Sequence, residues 1–444
     1  MKKILIIVFV FFIYNIAIAQ KADKKVYTIE ECIEIALQNN LDVKLYEAKL
    51  EQSTADLTFA FGQYLPSINI STGYSRQLNA KPGFTFVNGQ LITTDPRANS
   101  YDASIGANWL IFDGFNRDNN YSRAKYYYEA NELNLKQIKI QITLQVYQYY
   151  LDVIAKKQIV ITRKANFESG QKEYERIKAQ YEVGLVPIDV VYFQEADLAN
   201  REYEIINAEN HLNQAKANLL IIMGLNPDYD IEFLEKGFPE EIRDDEINEF
   251  KNQLLPYKDL FQEAFKNRKD YQVLEIEEKA YEASLNAAYS GYYPRLSAYG
   301  GWYWSNFELD KFSELGRSSI GINLSIPIFE QFQTNYRAQN AQLQLQQVQI
   351  EKNKLEQNII STIKLSFLNL QAAEKQLDIT NKALNAAEKS YHSFSEKFRV
   401  GTASITELLN ANSQLINSKI NRINAIYQYL RVQKELLYAF GLLN

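Results

Sequence analysis

The chain has 444 residues, 46% hydrophobic and 23% charged, with 9 Pro, 17 Gly and a single Cys. Its net charge of −6 argues against nucleic acid as a partner, and the lone Cys32 excludes an intrachain disulfide framework. With so few helix breakers among abundant Gln, Asn, Glu, Lys, Leu, Ile and Ala, the composition favours long helices.

The chain opens on Met1-Lys2-Lys3, an apolar run from Ile4 to Ile18 and the small-residue site Ala17-Ile18-Ala19. This pattern predicts a signal peptide over 1–19, cleaved after Ala19. The run is shorter than the roughly 20 residues of a spanning helix. Cleavage removes Lys2 and Lys3 and takes the net charge from −6 to −8.

The pattern then predicts a helix near 28–62, strands near 67–76 and 101–112, a very long helix near 114–183 and a helix near 188–223. The stretch 226–257 is acidic, contains Pro227, Pro239 and Pro256, and reads as a linker. After it the same order returns, with a helix near 258–290, strands near 294–305 and 318–329, and helices near 332–400 and 404–439. Tyr181-Glu182-Val183-Gly184-Leu185 recurs as Phe398-Arg399-Val400-Gly401-Thr402, 217 residues later. The same offset superposes Phe112-Asp113-Gly114 on Phe329-Glu330-Gln331, and Met223-Gly224-Leu225 on Phe440-Gly441-Leu442. Upstream an offset of 228 pairs Asn39, Asp42 and Pro66 with Asn267, Asp270 and Pro294. One unit, 20–225, is expected to be duplicated as 258–444, the first copy carrying the longer strand-to-strand loop. A period this long is no solenoid repeat.

The long helices carry a seven-residue apolar repeat: Ile363, Leu370, Leu377, Leu384, Tyr391 and Phe398 in one, Val146, Val153, Val160, Phe167, Tyr174 and Tyr181 in its duplicate. A sustained heptad predicts coiled-coil hairpins. In each half the two shorter helices together match the long one, so they are expected to meet end to end midway along it. Gly184 and Gly401 supply the positive φ that ends a helix. Ser404, or Thr402, is expected to cap the returning helix, and Pro187 to occupy the first turn of its duplicate.

The strands alternate, with Ile68, Ile70, Thr72 and Tyr74 opposing Asn69, Ser71, Gly73 and Ser75, and the other three following suit. Ten to twelve residues of this kind, with Tyr74, Trp109, Trp302 and Trp304 as belt aromatics, resemble outer-membrane strands. Four strands cannot close a barrel, and an open edge is not tolerated in lipid, so at least two chains must contribute and three would give twelve strands. The competing reading is a secreted or periplasmic coiled-coil scaffold with soluble hairpins. His211 and His392 are isolated, and no nucleophile, phosphate-cradling or metal-ligating spacing occurs, so neither an enzyme nor a cofactor is expected.

These residues, the strand-to-helix corners included, together resemble the TolC-like outer-membrane factor family over nearly the whole mature chain, most specifically in the two Val-Gly turns. The resemblance implies a mainly α fold with a transmembrane β-barrel: a homotrimer whose twelve strands, four per chain, form one barrel continued by a twelve-helix periplasmic tunnel. It implies an outer-membrane exit duct of a tripartite efflux or type I secretion system. Such a duct receives cargo from an inner-membrane RND- or ABC-type pump through a periplasmic adaptor, without catalysis. Val183, Gly184, Leu185, Val400, Gly401 and Thr402 then correspond to the adaptor-docking tips. Glu407 and Asn410 fall where the family has pore-ring acids, although a Glu in a first helical turn is also explained by the helix dipole. The family's linking Tyr and Arg correspond to Phe398 and Ala403, and its partner acid to Val190, beside Asp189. These departures suggest a gate held by apolar packing around Phe398, or one that rests more open.

Overall fold

The computed structural model describes residues 26–94, 96–234, 239, 241–253 and 257–443. The expected signal peptide and its cleavage site lie outside the described residues. The elements in chain order are β1 (Val26–Tyr27), α1 (Ile29–Asn39), α2 (Leu41–Gly62), β2 (Ser67–Arg76), β3 (Gly83–Val87), β4 (Gln90–Thr94), β5 (Asn99–Phe112), α3 (Asn116–Glu182) and α4 (Ile188–Ile222). They continue with β6 (Glu232–Phe233), α5 (Asp244–Gln253), α6 (Tyr257–Asn267), α7 (Lys269–Tyr289), β7 (Arg295–Asn306), α8 (Phe312–Leu315), β8 (Arg317–Ser325), α9 (Gln333–Arg399) and α10 (Ile405–Ala439). The long helices α3 and α9 have 67 residues each, and the returning helices α4 and α10 have 35 each. Among the described residues, no helix is long and apolar enough to cross a membrane.

The chain divides into two compact units, one drawn from Met1–Glu47, Leu135–Lys269 and Glu356–Asn444, the other from Ala48–Asn134 and Asp270–Leu355. Each takes pieces from both halves of the sequence.

In the first unit the heptad residues lie in the buried face of the long helices. In α9 this is a narrow seam of Ile363, Leu370 and Leu377 with most neighbouring surface exposed; in α3 burial is broader, adding Ile142, Leu144, Tyr150, Leu151 and Ile154 to Val146, Val153 and Val160. The expected helix 28–62 is interrupted at Asn40, whose backbone leaves the helical region. Its Oδ1 accepts the N–H groups of Asp42 and Val43, capping α2, and its Nδ2 donates to the Ile222 carbonyl at 2.9 Å. Helix α4 therefore ends against the junction of α1 and α2. Gly224, with φ +69°, lies so close that an added Cβ would stand 2.6 Å from the Asn39 carbonyl oxygen. The second half repeats this: the helix expected over 258–290 breaks at Arg268, whose guanidinium donates to the Ala439 carbonyl at 3.2 Å, and Gly441 packs on the same junction. The returning helices thus meet their partners at both places, but at breaks inside the expected spans 28–62 and 258–290 and not at their ends.

The expected linker holds more order than its composition suggests. β6 pairs in parallel with β1, and the Tyr150 hydroxyl donates to the carbonyls of Tyr27 and Leu234 at 3.0 and 2.7 Å. Lys251 of α5 pairs with Glu374 at 2.6 Å. Beneath lies an apolar cluster that includes Cys32, Val146, Val153, Leu219, Met223 and Phe233. Burial pushes the Cys32 thiol up to about 12, which removes it from thiolate chemistry.

The second unit holds a four-stranded antiparallel sheet of order β2-β5-β7-β8. Directly paired residues share a face, and the register pairs Ile70 with Ile105, Ile105 with Trp302, Ala298 with Ile322 and Leu296 with Leu324. One face is therefore apolar across all four strands. The other collects Ser71, Ser104, Tyr303 and Arg317 in one row and Asn69, Gly106, Gly301 and Ser319 in another. β8 stops at Ser325, short of the expected 329, because its partner β7 begins at Arg295 and Pro327 has no N–H to offer a ladder. The connection between β2 and β5, expected as a plain loop, contains the hairpin β3–β4, closed by Asn88 (φ 51°) and Gly89 (φ 83°). Two consecutive positive φ values mark the tight turn that Asn-Gly favours.

Candidate functional site

Three places concentrate the residues singled out by the sequence: the two helix-hairpin tips, the strand-to-helix corners and the apolar sheet face.

Each tip ends its long helix on a left-handed glycine, Gly184 (φ +77°) and Gly401 (φ +75°). Gly184 N–H donates to the Tyr181 carbonyl and Leu185 N–H reaches back to Gln180; Gly401 and Thr402 repeat the pattern with Phe398 and Lys397. These paired bonds satisfy carbonyls left open by the ending helix. They also thrust the flanking side chains outward: Val183 is 71% exposed, Leu185 73% and Val400 62%. Thr402 is exposed too, its hydroxyl donating to the Lys397 carbonyl at 3.1 Å. Behind the turns, Ile177, Val191, Ile405 and Leu408 form a buried cluster joined by Tyr174, Val190, Tyr391 and Phe398. The structure thus brings the two tips together over one apolar patch, with Phe398 inside it. The Arg176 guanidinium lies 5.8 Å from the Phe398 ring centroid. No atom lies within 4 Å of a Cβ built on Gly184 or Gly401, so Gly401→Ala should cost about 1 kcal/mol through backbone strain alone. Hydrogen exchange should show that loss at residues 398–404, with the main melting transition unmoved.

Glu407 completes a capping box: its N–H donates to Ser404 Oγ at 3.2 Å, and its carboxylate accepts the Ser404 N–H at 2.8 Å. Hydrogen bonds from the Ser404 backbone and hydroxyl hold the Glu407 carboxyl below the usual glutamate range. A depressed folded value gives stability that is full above the unfolded value of about 4.3 and is lost as pH falls through the lowered one. The duplicate turn lacks this box. Pro187, expected in the first turn of α4, stands at the N-cap without a side-chain hydrogen bond, and Val190 occupies the place of Glu407. Asp189 and Asn410 are both exposed, in the first turn of α4 and the second turn of α10 respectively.

At the first corner, Gly114 and Phe115 are both left-handed, as are Gln331 and Phe332 at the second. Asp113 is buried, and its carboxylate accepts the Arg117 N–H at 3.0 Å, starting α3. The Arg117 guanidinium donates to the Ile111 carbonyl at 2.9 Å, where a β-bulge interrupts the ladder of β5 with β7. Glu330 does the corresponding work through the Thr334 hydroxyl at 2.6 Å.

On the apolar face, Ile320 is 90% and Ile322 70% exposed, and no described residue covers them. Tyr74 stacks on Tyr101 at 5.0 Å near the loop end of the sheet. Trp109 lies near the helix end, exposed, its indole N–H donating to the Tyr64 carbonyl at 3.0 Å. Trp302 is half-buried. Trp304 departs from its expected belt position: it is 1% exposed because Phe312 of α8 folds back and stacks on it at 4.0 Å. Sequence reasoning missed Arg117, whose only signal was its place four residues after a corner acid. Among the described residues, no group of three His, Cys, Asp or Glu side chains could hold a metal ion.

The family model described as outer membrane efflux protein matches residues 32–225 and 260–442. Outer membrane protein TolC of Escherichia coli (strain K12) is 24% identical over 421 residues, which is 90% of this chain and 81% of that protein. The structure resembles CusC with a TM-score of 0.77 at 17% identity, covering 96% of this chain and 95% of that one. It also resembles the CmeC outer membrane channel of Campylobacter jejuni, with a TM-score of 0.76 at 17% identity, over 93% of this chain and 85% of that one.

Proposed function

The chain belongs to the outer membrane efflux protein family, and from that premise we propose that three copies assemble into a single duct. It is an outer-membrane protein that provides an exit channel for efflux. In the proposed assembly the four-stranded sheets join into one twelve-stranded barrel, and the helices continue it as a twelve-helix periplasmic tunnel. The observation that carries this reading is the sheet: one face is apolar and uncovered, and the edge strands β2 and β8 are open. Such a surface is stable in lipid only when the edges are closed, and identical copies close both. The near-equal elements of the two halves support reading 20–225 and 258–444 as duplicated units about the 226–257 segment. Purified protein should migrate as a heat-modifiable trimer in detergent. A stable, water-soluble monomer would sink the proposal.

The duct would take cargo from an inner-membrane pump through a periplasmic adaptor, with selectivity for cargo residing in those partners. Val183, Leu185 and Val400, exposed at adjacent tips around Gly184, Gly401 and Thr402, suit docking of an adaptor's apolar helical surface. Phe398 in its apolar cluster supports a gate closed by packing near the tips, with Asp189 and Asn410 polar beside it. Three Glu407 carboxylates around the axis would favour cations. Glu407→Gln should therefore reduce the cation preference of single-channel currents in planar bilayers; unchanged selectivity would leave Glu407 with its capping role alone.

A further inference from the structure

We propose that the β3–β4 hairpin is an apolar lid: three copies, one from each subunit, pack on one another over the outer mouth of the duct and close it at rest. This rests on the trimeric reading above.

The hairpin is well defined locally. Five rungs, from Gly83–Thr94 to Val87–Gln90, lead into the Asn88-Gly89 turn. The register puts Phe84, Phe86 and Leu91 on one face and Val87 and Ile92 on the other. Phe84 is 70% and Phe86 74% exposed, and the three aliphatic residues are exposed as well. A two-stranded ribbon is marginally stable by itself in water, and a clustered apolar surface of this kind marks a contact site. The equivalent loop after β7 behaves differently: it carries Glu308, Asp310, Lys311 and Glu314, and its Phe312 is committed to Trp304.

Charge and topology select the occupant. No charged residue lies between Gly83 and Thr94, although Lys81, Asp95 and Arg97 flank the hairpin in sequence. A loop lying among anionic lipid headgroups would gain from basic side chains, whereas three identical surfaces meeting on an axis must avoid like charge. β3 follows directly from β2, an edge strand of the sheet, so the hairpin springs from the side that would face the neighbouring copy. At its base the Arg97 guanidinium sits 4.6 Å from the centroid of the Phe307 ring, tying it to the loop end of β7. An apolar constriction excludes water and ions by dewetting, and contacts without ion pairs separate readily when cargo arrives.

The sole native cysteine, Cys32, is fully buried, so Gln90→Cys adds one accessible thiol per subunit and leaves the turn intact. Mild oxidation of intact cells should convert Gln90→Cys trimers into disulfide-linked dimers of the chain. Separately, Ser319→Cys on the polar sheet face should react with a bulky, membrane-impermeant maleimide about tenfold faster when Phe84 and Phe86 are both changed to Ser. Gln90→Cys trimers whose introduced thiols stay unlinked, or link to another protein, overturn the lid. So does labelling at position 319 that is indifferent to the two Phe substitutions. Material that is not trimeric overturns the assembly itself, a different and separately visible outcome.

Discussion

Ile322→Arg should be lost from the outer membrane, whereas Asn323→Arg should accumulate there at close to the normal level. The two positions are adjacent in β8, yet the register sends them to opposite faces: Ile322 pairs with Ala298 on the apolar side and Asn323 with Ser297 on the polar side. An Arg on a lipid face costs about 2–4 kcal/mol at the midplane and less toward the interface, where the rung that Ile322 shares with Ala298 and Trp109 lies. Each assembled barrel would carry that cost three times over, enough to divert the protein to aggregation and proteolysis. On the polar face the guanidinium stays hydrated and the cost is small. Outer-membrane fractionation and the heat-modifiable band report both outcomes. Equal loss, or equal tolerance, at the two positions would refute the assignment of faces.

Tyr150→Ala should destabilise the first unit by about 3–5 kcal/mol, the range for deleting a buried aromatic side chain. Its ring is fully buried, packed edge-on against Phe233 at 5.8 Å, and its hydroxyl holds the carbonyls of both Tyr27 and Leu234. The residue therefore joins the amino-terminal strand β1, the β6 segment and the long helix α3 at one point. Tyr150→Phe keeps the ring and loses only the hydroxyl, so its expected cost is about 1–3 kcal/mol. Thermal melting in detergent should rank the wild type above Phe and Phe above Ala. Limited proteolysis should cut the 226–257 segment first in the Ala variant. If Phe and Ala behave alike, the ring contributes nothing and the prediction is wrong.

The sheet was legible because a period of two survives in short strands, and the pairing then merely aligned four patterns already visible around Ile70, Ile105, Trp302 and Ile322. The left-handed turns at Gly184 and Gly401 were legible for a related reason: few other residues accept that backbone. The helix breaks at Asn40 and Arg268 were not, since apolar periodicity runs through both and each break is made by α4 or α10 arriving from far along the chain. Trp304 was misplaced because its cover, Phe312, comes from a loop whose return no strand pattern encodes. The hairpin at Asn88-Gly89 carried its own signal, passed over within a segment read only for length. Glu407 shows a limit of another kind: the capping box explains the residue locally whether or not it lines a pore.

The ladder between the two inner strands joins Tyr101 to Asn306 and Ala103 to Trp304, positions made at very different times as the polypeptide emerges. Such distant partners are slow to find one another. The amino-terminal half, once exported, holds β2 and β5 with one flank of β5 unsatisfied, and so has no finished surface to commit to the bilayer. In the proposed trimer, insertion would therefore follow the carboxyl-terminal half.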